Sequence, residues 1–365
     1  MSGTPQREGS DPSRLPSLDG WRAVAIAMVV LSHFTATRGF QAPWWWTEVF
    51  QGNLGVRIFF VISGLLITYL LLVEADRRGR PSLRSFYTRR VLRIFPVYFL
   101  YLGVVLALAA AGLYTDTPGT WIGSFTFTRN LIGQAQSLTG HYWSLSVEEQ
   151  FYVAWPVTLV ALRLWDRPRL AVGLLLVPVV LCPIFRSGVI QAHTTNALIA
   201  RALNLYSTAI YADSLAIGCL GAFACWKYRD RLHGLASRAS LGAALAIFVS
   251  AAAATGRVGP AEAVLPLIEA AAILWAILAT IDRRSGVLYR LLNAPLVVRL
   301  GVLSYSLYVW QELFISWAAG PKLSALPVYD WRVWWLAALA TACLSYYVVE
   351  RPILRVRDRL RATQA

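Results

Sequence analysis

The sequence predicts an all-α integral membrane protein, a bundle of about ten transmembrane helices with both termini cytoplasmic. Three observations predict it. The 365 residues are 57% hydrophobic and 15% charged, with a mean hydropathy of +0.53, far outside the balance of soluble chains. The apolar residues gather into ten stretches, each close to the ~20 residues that a spanning helix needs. The cations that flank these stretches fall on alternate sides.

The stretches run over roughly 21–39, 54–74, 91–113, 143–164, 169–187, 207–227, 239–255, 262–281, 300–319 and 331–350. With the N-terminus inside, the inner connections carry most of the loop charge, as in EADRRGRPSLRSFYTRR (74–90) and ERPILRVRDRLRA (350–362). The outer connections hold Arg129, Arg201, Arg257 and Lys322. Lys and Arg beside a span are retained on the cytoplasmic face, so the cell inner (cytoplasmic) membrane is the expected location, crossed many times. The net charge of +15 is then an inner-face charge, suited to anionic membrane lipids, and no nucleic acid is needed to explain it.

Three regions are expected: a disordered cytoplasmic tail over 1–17, a transmembrane domain over 18–355, and a basic cytoplasmic tail over 356–365. The first region is polar and lacks the apolar core of a cleaved signal. Few residues follow the last span, so no appended soluble domain is expected. Cys182, Cys219, Cys225 and Cys343 sit singly inside apolar stretches, which suits packing and indicates neither a disulfide frame nor a metal site. No internal repeat of the kind that builds many transporters is evident.

Ionisable residues inside spans are costly in hydrocarbon and usually face a cavity or a partner. The first span carries Arg22 at its inner end and His33 eleven residues later, ~16 Å along the axis on the same face. The fourth span, read from outside inward, sets Ser144, Glu148 and Tyr152 at successive i, i+4 positions on one face. Glu148 and His33 both lie roughly five or six residues in from the outer boundary, at matching depth. A histidine held by a carboxylate is fixed in one tautomer and becomes a better base for a hydroxyl, so His33 oriented by Glu148 is the expected pair. A lone histidine satisfied by a backbone carbonyl, and a structural ion pair for the carboxylate, are the bland readings. Glu149 points about 100° away from Glu148 and is expected to pair with an arginine or polar group of another span.

At the inner side, SFYTRRVLRIFPVY (85–98) puts Arg90 and Arg93 on one face beside Arg89, among Phe86, Tyr87, Phe95 and Tyr98. Arginine forks suit phosphate oxygens and aromatic rings can stack on a base. Lipid headgroups would select a similar composition. Together with Arg22 the cluster points to a cytosolic phosphorylated donor whose long tail reaches up between helices. Ser63 and Gly64 allow close helix approach or wall a cavity. Asp213 and Glu312 either line an acceptor site or neutralise an arginine such as Arg186 or Arg201.

Six ordered motifs resemble one family. They are LDGWRAVAIAMVVLSH (18–33), GVRIFFVISGLLIT (55–68), FYTRRVLRIFPVYFLYL (86–102), HYWSLSVEEQFYVAWP (141–156), LSYSLYVWQELF (303–314) and VVERPILR (348–355). The chain resembles the acyltransferase 3 family of integral membrane O-acyltransferases over about residues 18 to 360. The resemblance implies a ten-helix bundle and transfer of an acyl group, usually acetyl, from cytosolic acyl-CoA to a hydroxyl of a sugar, glycan or macrolide-like acceptor. Acyl-CoA is a donor substrate, and no permanently bound cofactor or metal is implied. The family's first-span arginine and histidine fall on Arg22 and His33. Its third-span arginines fall on Arg90 and Arg93, and its serine, glutamate and tyrosine on Ser144, Glu148 and Tyr152. The resemblance thus makes His33, Glu148, Tyr152 and Ser144 the catalytic candidates, with Arg22, Arg90 and Arg93 binding the donor.

Two departures stand out. Many relatives read Tyr-Leu-Trp-His in the ninth span, whereas this chain reads Tyr308, Val309, Trp310, Gln311, followed by Glu312. The expected lack of an extracytoplasmic domain, which some polysaccharide-modifying relatives carry, favours a small or lipid-linked acceptor. A transporter of a sugar-like or acylated molecule is the rival class; it would bury the same acids and histidine as a proton relay but is expected to show paired, broken spans.

Overall fold

A computed structural model describes residues 17–132, 136–195, 208–228, 263–282, 286–314 and 316–362. Among the described residues the architecture is helical, and the one pairing of extended type is an isolated bridge between Arg38 and Asp330. In chain order the principal helices are α1 Leu18–His33, α2 Gly52–Arg78, α3 Leu83–Ala110, α4 Pro118–Thr126, α5 Tyr142–Ala161, α6 Pro168–Thr195, α7 Thr208–Lys227, α8 Leu265–Asp282, α9 Pro295–Gln311, α10 Ser316–Ser324 and α11 Trp334–Ser345, with further helical turns at Trp46–Val49, Val287–Leu292 and Arg351–Ala362. The spans expected at 239–255 and the tail over 1–16 lie outside the described residues.

Local chemistry sets several boundaries. Gly79, at φ 75°, ends α2 in the left-handed conformation that glycine adopts without a Cβ penalty. Ser82 then caps α3, its hydroxyl accepting the Ser85 N–H at 3.3 Å. Thr117 caps α4 in the same way at 3.2 Å, with Pro118 as the first helical residue. The early start of α3 matters because Arg89, Arg90 and Arg93 lie within a regular helix.

One expected span is corrected. The stretch over 300–319 is not a single helix: α9 stops at Gln311, a tight 3-10 turn covers Glu312–Phe314, and α10 begins at Ser316. The polar pair Gln311–Glu312 sits at this break, where a tightened last turn is common. Within the last stretch, 331–350, α11 ends at Ser345 and is continued by a π turn over Tyr346–Glu350 that leads into a further helix, Arg351–Ala362.

Among the described residues, the helical stretches Trp46–Arg78, Leu83–Ala110 and Pro168–Ser187 are long and apolar enough to cross a membrane. The outward faces agree in character. Val153, Val180, Ile184 and Leu344 are 61%, 57%, 60% and 65% exposed, a large apolar surface that water would not tolerate and lipid would.

Packing is closest between α2 and α7 and between α1 and α9. At the first contact a Cβ on Gly64 would overlap the Leu215 carbonyl, and at the second a Cβ on Gly301 would overlap the Asp19 carbonyl, so glycine lets the backbones touch. Buried apolar side chains fill three zones. Leu18, Trp21, Ile58, Leu65 and Ile273 join α1, α2 and α8. Leu71, Trp155, Leu159, Leu175 and Phe223 join α2, α5, α6 and α7. Tyr98, Tyr101, Tyr142, Trp310 and Trp334 form an aromatic zone among α3, α5, α9 and α11.

Candidate active site

A cavity of about 230 Å³ opens between α1, α2, α3, α5 and α9. One end is cationic, lined by Arg22, Arg89, Arg90 and Arg93; its walls are largely apolar, from Phe59, Phe60, Leu66 and Ile67; its polar middle holds Ser63, Glu148 and Tyr152; and Ser144 and Tyr308 line it further along α5 and α9. Cation at one end, apolar walls, and a few convergent hydroxyl and carboxyl groups are the pattern of a ligand site.

The elements present these groups by helical spacing. Ser144, Glu148 and Tyr152, each four residues apart on α5, all face the cavity. Arg90 and Arg93 face it from α3, and Arg22 from α1. The Arg90 guanidinium lies 3.9 Å from the Tyr152 ring centroid, a stacked geometry that holds it at the site. Arg22 pairs with Asp19 at 2.7 Å and Arg89 approaches Glu74 at 3.7 Å.

In the middle, the Ser63 hydroxyl donates to Glu148 Oε1 at 2.7 Å and accepts the Tyr152 phenol at 2.9 Å. Further along, the Ser144 and Tyr308 hydroxyls bond each other, and whichever hydroxyl keeps its hydrogen donates to the His141 carbonyl, which lies 3.1 Å from the Ser144 hydroxyl and 3.2 Å from the Tyr308 hydroxyl.

His33 is not among the cavity-lining residues. Its Nδ1 lies 2.6 Å from Gln311 Oε1, while Glu148 bonds Ser63. The expected His33–Glu148 pair is therefore replaced by two separate pairs. The physical reason is lateral: α1 packs directly on α9 as well as on α2, which sets His33 beside the end of α9, and Ser63 of α2 takes the Glu148 carboxyl. Gln311 in turn donates to Glu312 Oε2 at 3.3 Å, and that oxygen lies 3.8 Å from His141 Nδ1. His141 thus lies between the Ser144–Tyr308 end of the cavity, which bonds its carbonyl, and Glu312, which its ring approaches at a distance beyond a hydrogen bond.

Sequence reading named Ser63 without its bond to Glu148 and did not single out Tyr308, His141 or the buried Arg57–Glu269 ion pair. Asp213 neutralises Arg186 at 2.6 Å, one of its two anticipated roles. Glu149 does not line the cavity. Among the described residues, no group of three or more His, Cys, Asp or Glu side chains could hold a metal ion.

A family model described as an acyltransferase domain matches residues 15–351. The chain belongs to the acyltransferase 3 family. A Staphylococcus aureus protein named "Putative O-acetyltransferase SACOL0978" is 27% identical over 360 residues, covering 93% of this chain and 57% of the relative. The Listeria monocytogenes protein named peptidoglycan O-acetyltransferase OatA is 26% identical over 364 residues, covering 93% of this chain and 56% of the relative. A Bacillus subtilis protein named "Putative peptidoglycan O-acetyltransferase YrhL" is 28% identical over 367 residues, with 93% and 55% covered. The chain spans a little over half the length of these curated acyltransferase 3 relatives. No solved structure matches it.

Proposed function

We propose that this chain is a multi-pass membrane O-acyltransferase, with about ten spans and both termini cytoplasmic, that moves an acyl group, acetyl in the first instance, from cytosolic acyl-CoA to a hydroxyl of a glycan. The observation that carries the reading is the cavity with Arg22, Arg90 and Arg93 at one end and the Ser144–Tyr308 hydroxyl pair further along. Family membership supports acyl transfer, and the names of the relatives support a glycan such as peptidoglycan as acceptor.

The residues divide the work by position. Arginine forks at the cavity mouth meet the phosphates of the donor. Glu148, Ser63 and Tyr152 offer hydrogen bonds to the amides of the pantetheine arm. His33 takes the proton of the acceptor hydroxyl as its oxygen attacks the thioester carbonyl. Ser144, with Tyr308, donates to the oxyanion of the tetrahedral intermediate. That intermediate expels the CoA sulfur, which leaves with the proton from His33, so one ester forms as one thioester breaks.

The test is a transfer assay on purified protein in nanodiscs, with acetyl-CoA and glycan acceptors, following CoA release and O-acetyl ester formation together. The reading expects acceptor-dependent release, one CoA per ester, lost in His33→Ala. Uptake of the acceptor into vesicles without ester formation would contradict it and favour transport.

A further inference from the structure

Gln311 and Glu312 stand at the break between α9 and α10, both buried and neither among the cavity-lining residues. Buried polar side chains at such a place are costly unless each hydrogen bond is made. The order of the bonds is informative. The Gln311 side chain has one accepting end and one donating end. Its nitrogen faces Glu312 Oε2 at 3.3 Å and its oxygen faces His33 Nδ1 at 2.6 Å. With Glu312 ionised, turning the amide over would set its oxygen against the Glu312 carboxylate oxygen, two acceptors in contact with no hydrogen between them. Glu312 therefore fixes which end of Gln311 meets His33.

The consequence falls on the imidazole. An amide oxygen only accepts, so Nδ1 of His33 must carry the hydrogen. In a neutral ring the lone pair then resides on Nε2. We propose that Glu312 and Gln311 form a positioning pair that holds His33 as its Nδ1–H tautomer and leaves Nε2 to take the proton of the acceptor hydroxyl. The inference rests on His33 acting as the base in the proposed function. It replaces the carboxylate partner expected for His33 with an amide that a carboxylate orients, the logic of a triad with one extra link.

Gln311 and Glu312 act through His33 and touch no reacting atom, so the test must separate positioning from folding. Acetyl transfer is measured on the full chain in nanodiscs for wild type, His33→Ala, Gln311→Met, His33→Ala/Gln311→Met, and the exchange Gln311→Glu/Glu312→Gln. Gln311→Met is expected to lower kcat about 10- to 100-fold with KM for acetyl-CoA changed less than about twofold. The exchange keeps an acceptor against Nδ1 and a donor behind it, and is expected to recover kcat to within about threefold. In the His33→Ala background, Gln311→Met is expected to remove nothing more, since a residue acting through His33 has no further effect once His33 is gone. Should Gln311→Met not fold, Gln311→Asn, which withdraws the amide by one methylene, is expected to show the same loss of kcat. Unchanged kcat in a folded Gln311 variant, or an equal further loss without His33, overturns the positioning pair and leaves His33 as base. Full turnover by His33→Ala overturns the base itself, and the pair with it.

Discussion

Glu148 takes its hydrogen bond from Ser63 of the neighbouring helix, at 2.7 Å. Tyr152 closes the set by donating to the same Ser63 hydroxyl at 2.9 Å. One serine thus ties two helices together at the middle of the cavity. Removing it in Ser63→Ala leaves the buried Glu148 carboxyl and the Tyr152 phenol each short of a partner, at a cost of about 1–3 kcal/mol. The variant is expected to lower the thermal midpoint in detergent and to weaken acyl-CoA binding, with Ser63→Thr closer to wild type. Wild-type stability and binding in Ser63→Ala would remove Ser63 from the account.

Arg90 is stacked on Tyr152 and presents its fork at the cavity mouth. A charge-assisted hydrogen bond to phosphate contributes about 1.5–3 kcal/mol, so Arg90→Ala is expected to raise KM for acetyl-CoA by roughly 10-fold or more, with kcat little altered. Arg90→Lys keeps the charge and loses the fork, and should fall between. Kinetics at saturating acceptor decide this; a loss confined to kcat would place Arg90 elsewhere in the cycle.

Arg186 and Asp213 are a buried pair at 2.6 Å, and Arg186 also donates to the Ala263 and Ile210 carbonyls at 2.7 and 2.6 Å. Removing one partner of a buried pair typically costs about 3–5 kcal/mol because the other charge is stranded. Asp213→Leu should therefore destabilise strongly, and Arg186→Met/Asp213→Leu should recover much of the loss. Thermal unfolding of the three proteins measures it. If the double variant is no better than the single, the carbonyl bonds of Arg186 matter more than its charge partner.

The all-helical character was legible in the apolar composition, and the polar wall of the cavity in helical periodicity. Ser144, Glu148 and Tyr152 share a face by i, i+4 spacing, and all three line the cavity with Arg90 and Arg93. Partners across helices were not legible. Depth along the membrane matched His33 to Glu148, but depth leaves rotation and neighbour choice open, and the contact between α1 and α9 gave His33 to Gln311, 278 residues away. Ser63 and Gly64 were read as either a close contact or a cavity wall; they are one of each, since adjacent helical residues point about 100° apart and Gly64 meets Leu215 while Ser63 meets Glu148.

Gly64 supplies a steric test of the frame that holds the site. A side chain there would strike the Leu215 carbonyl. Gly64→Ala is expected to cost about 1–3 kcal/mol by overpacking, and Gly64→Leu to part α2 from α7 and give little folded protein by size-exclusion chromatography. A well-folded Gly64→Leu variant would show that the contact is not tight.

The central claim is that the acyl donor occupies the cavity between the arginine cluster and the Ser144–Tyr308 pair. It is tested most directly by titrating an unreactive thioether analogue of acetyl-CoA into the purified protein in nanodiscs and measuring binding by calorimetry. Wild type is compared with Ser304→Trp, which fills the cavity from α9 and leaves every arginine of the sequence unchanged. Saturable binding by wild type, weakened by at least about tenfold in a folded Ser304→Trp protein, is the predicted result. Equal binding by both proteins, or none by wild type, would contradict it.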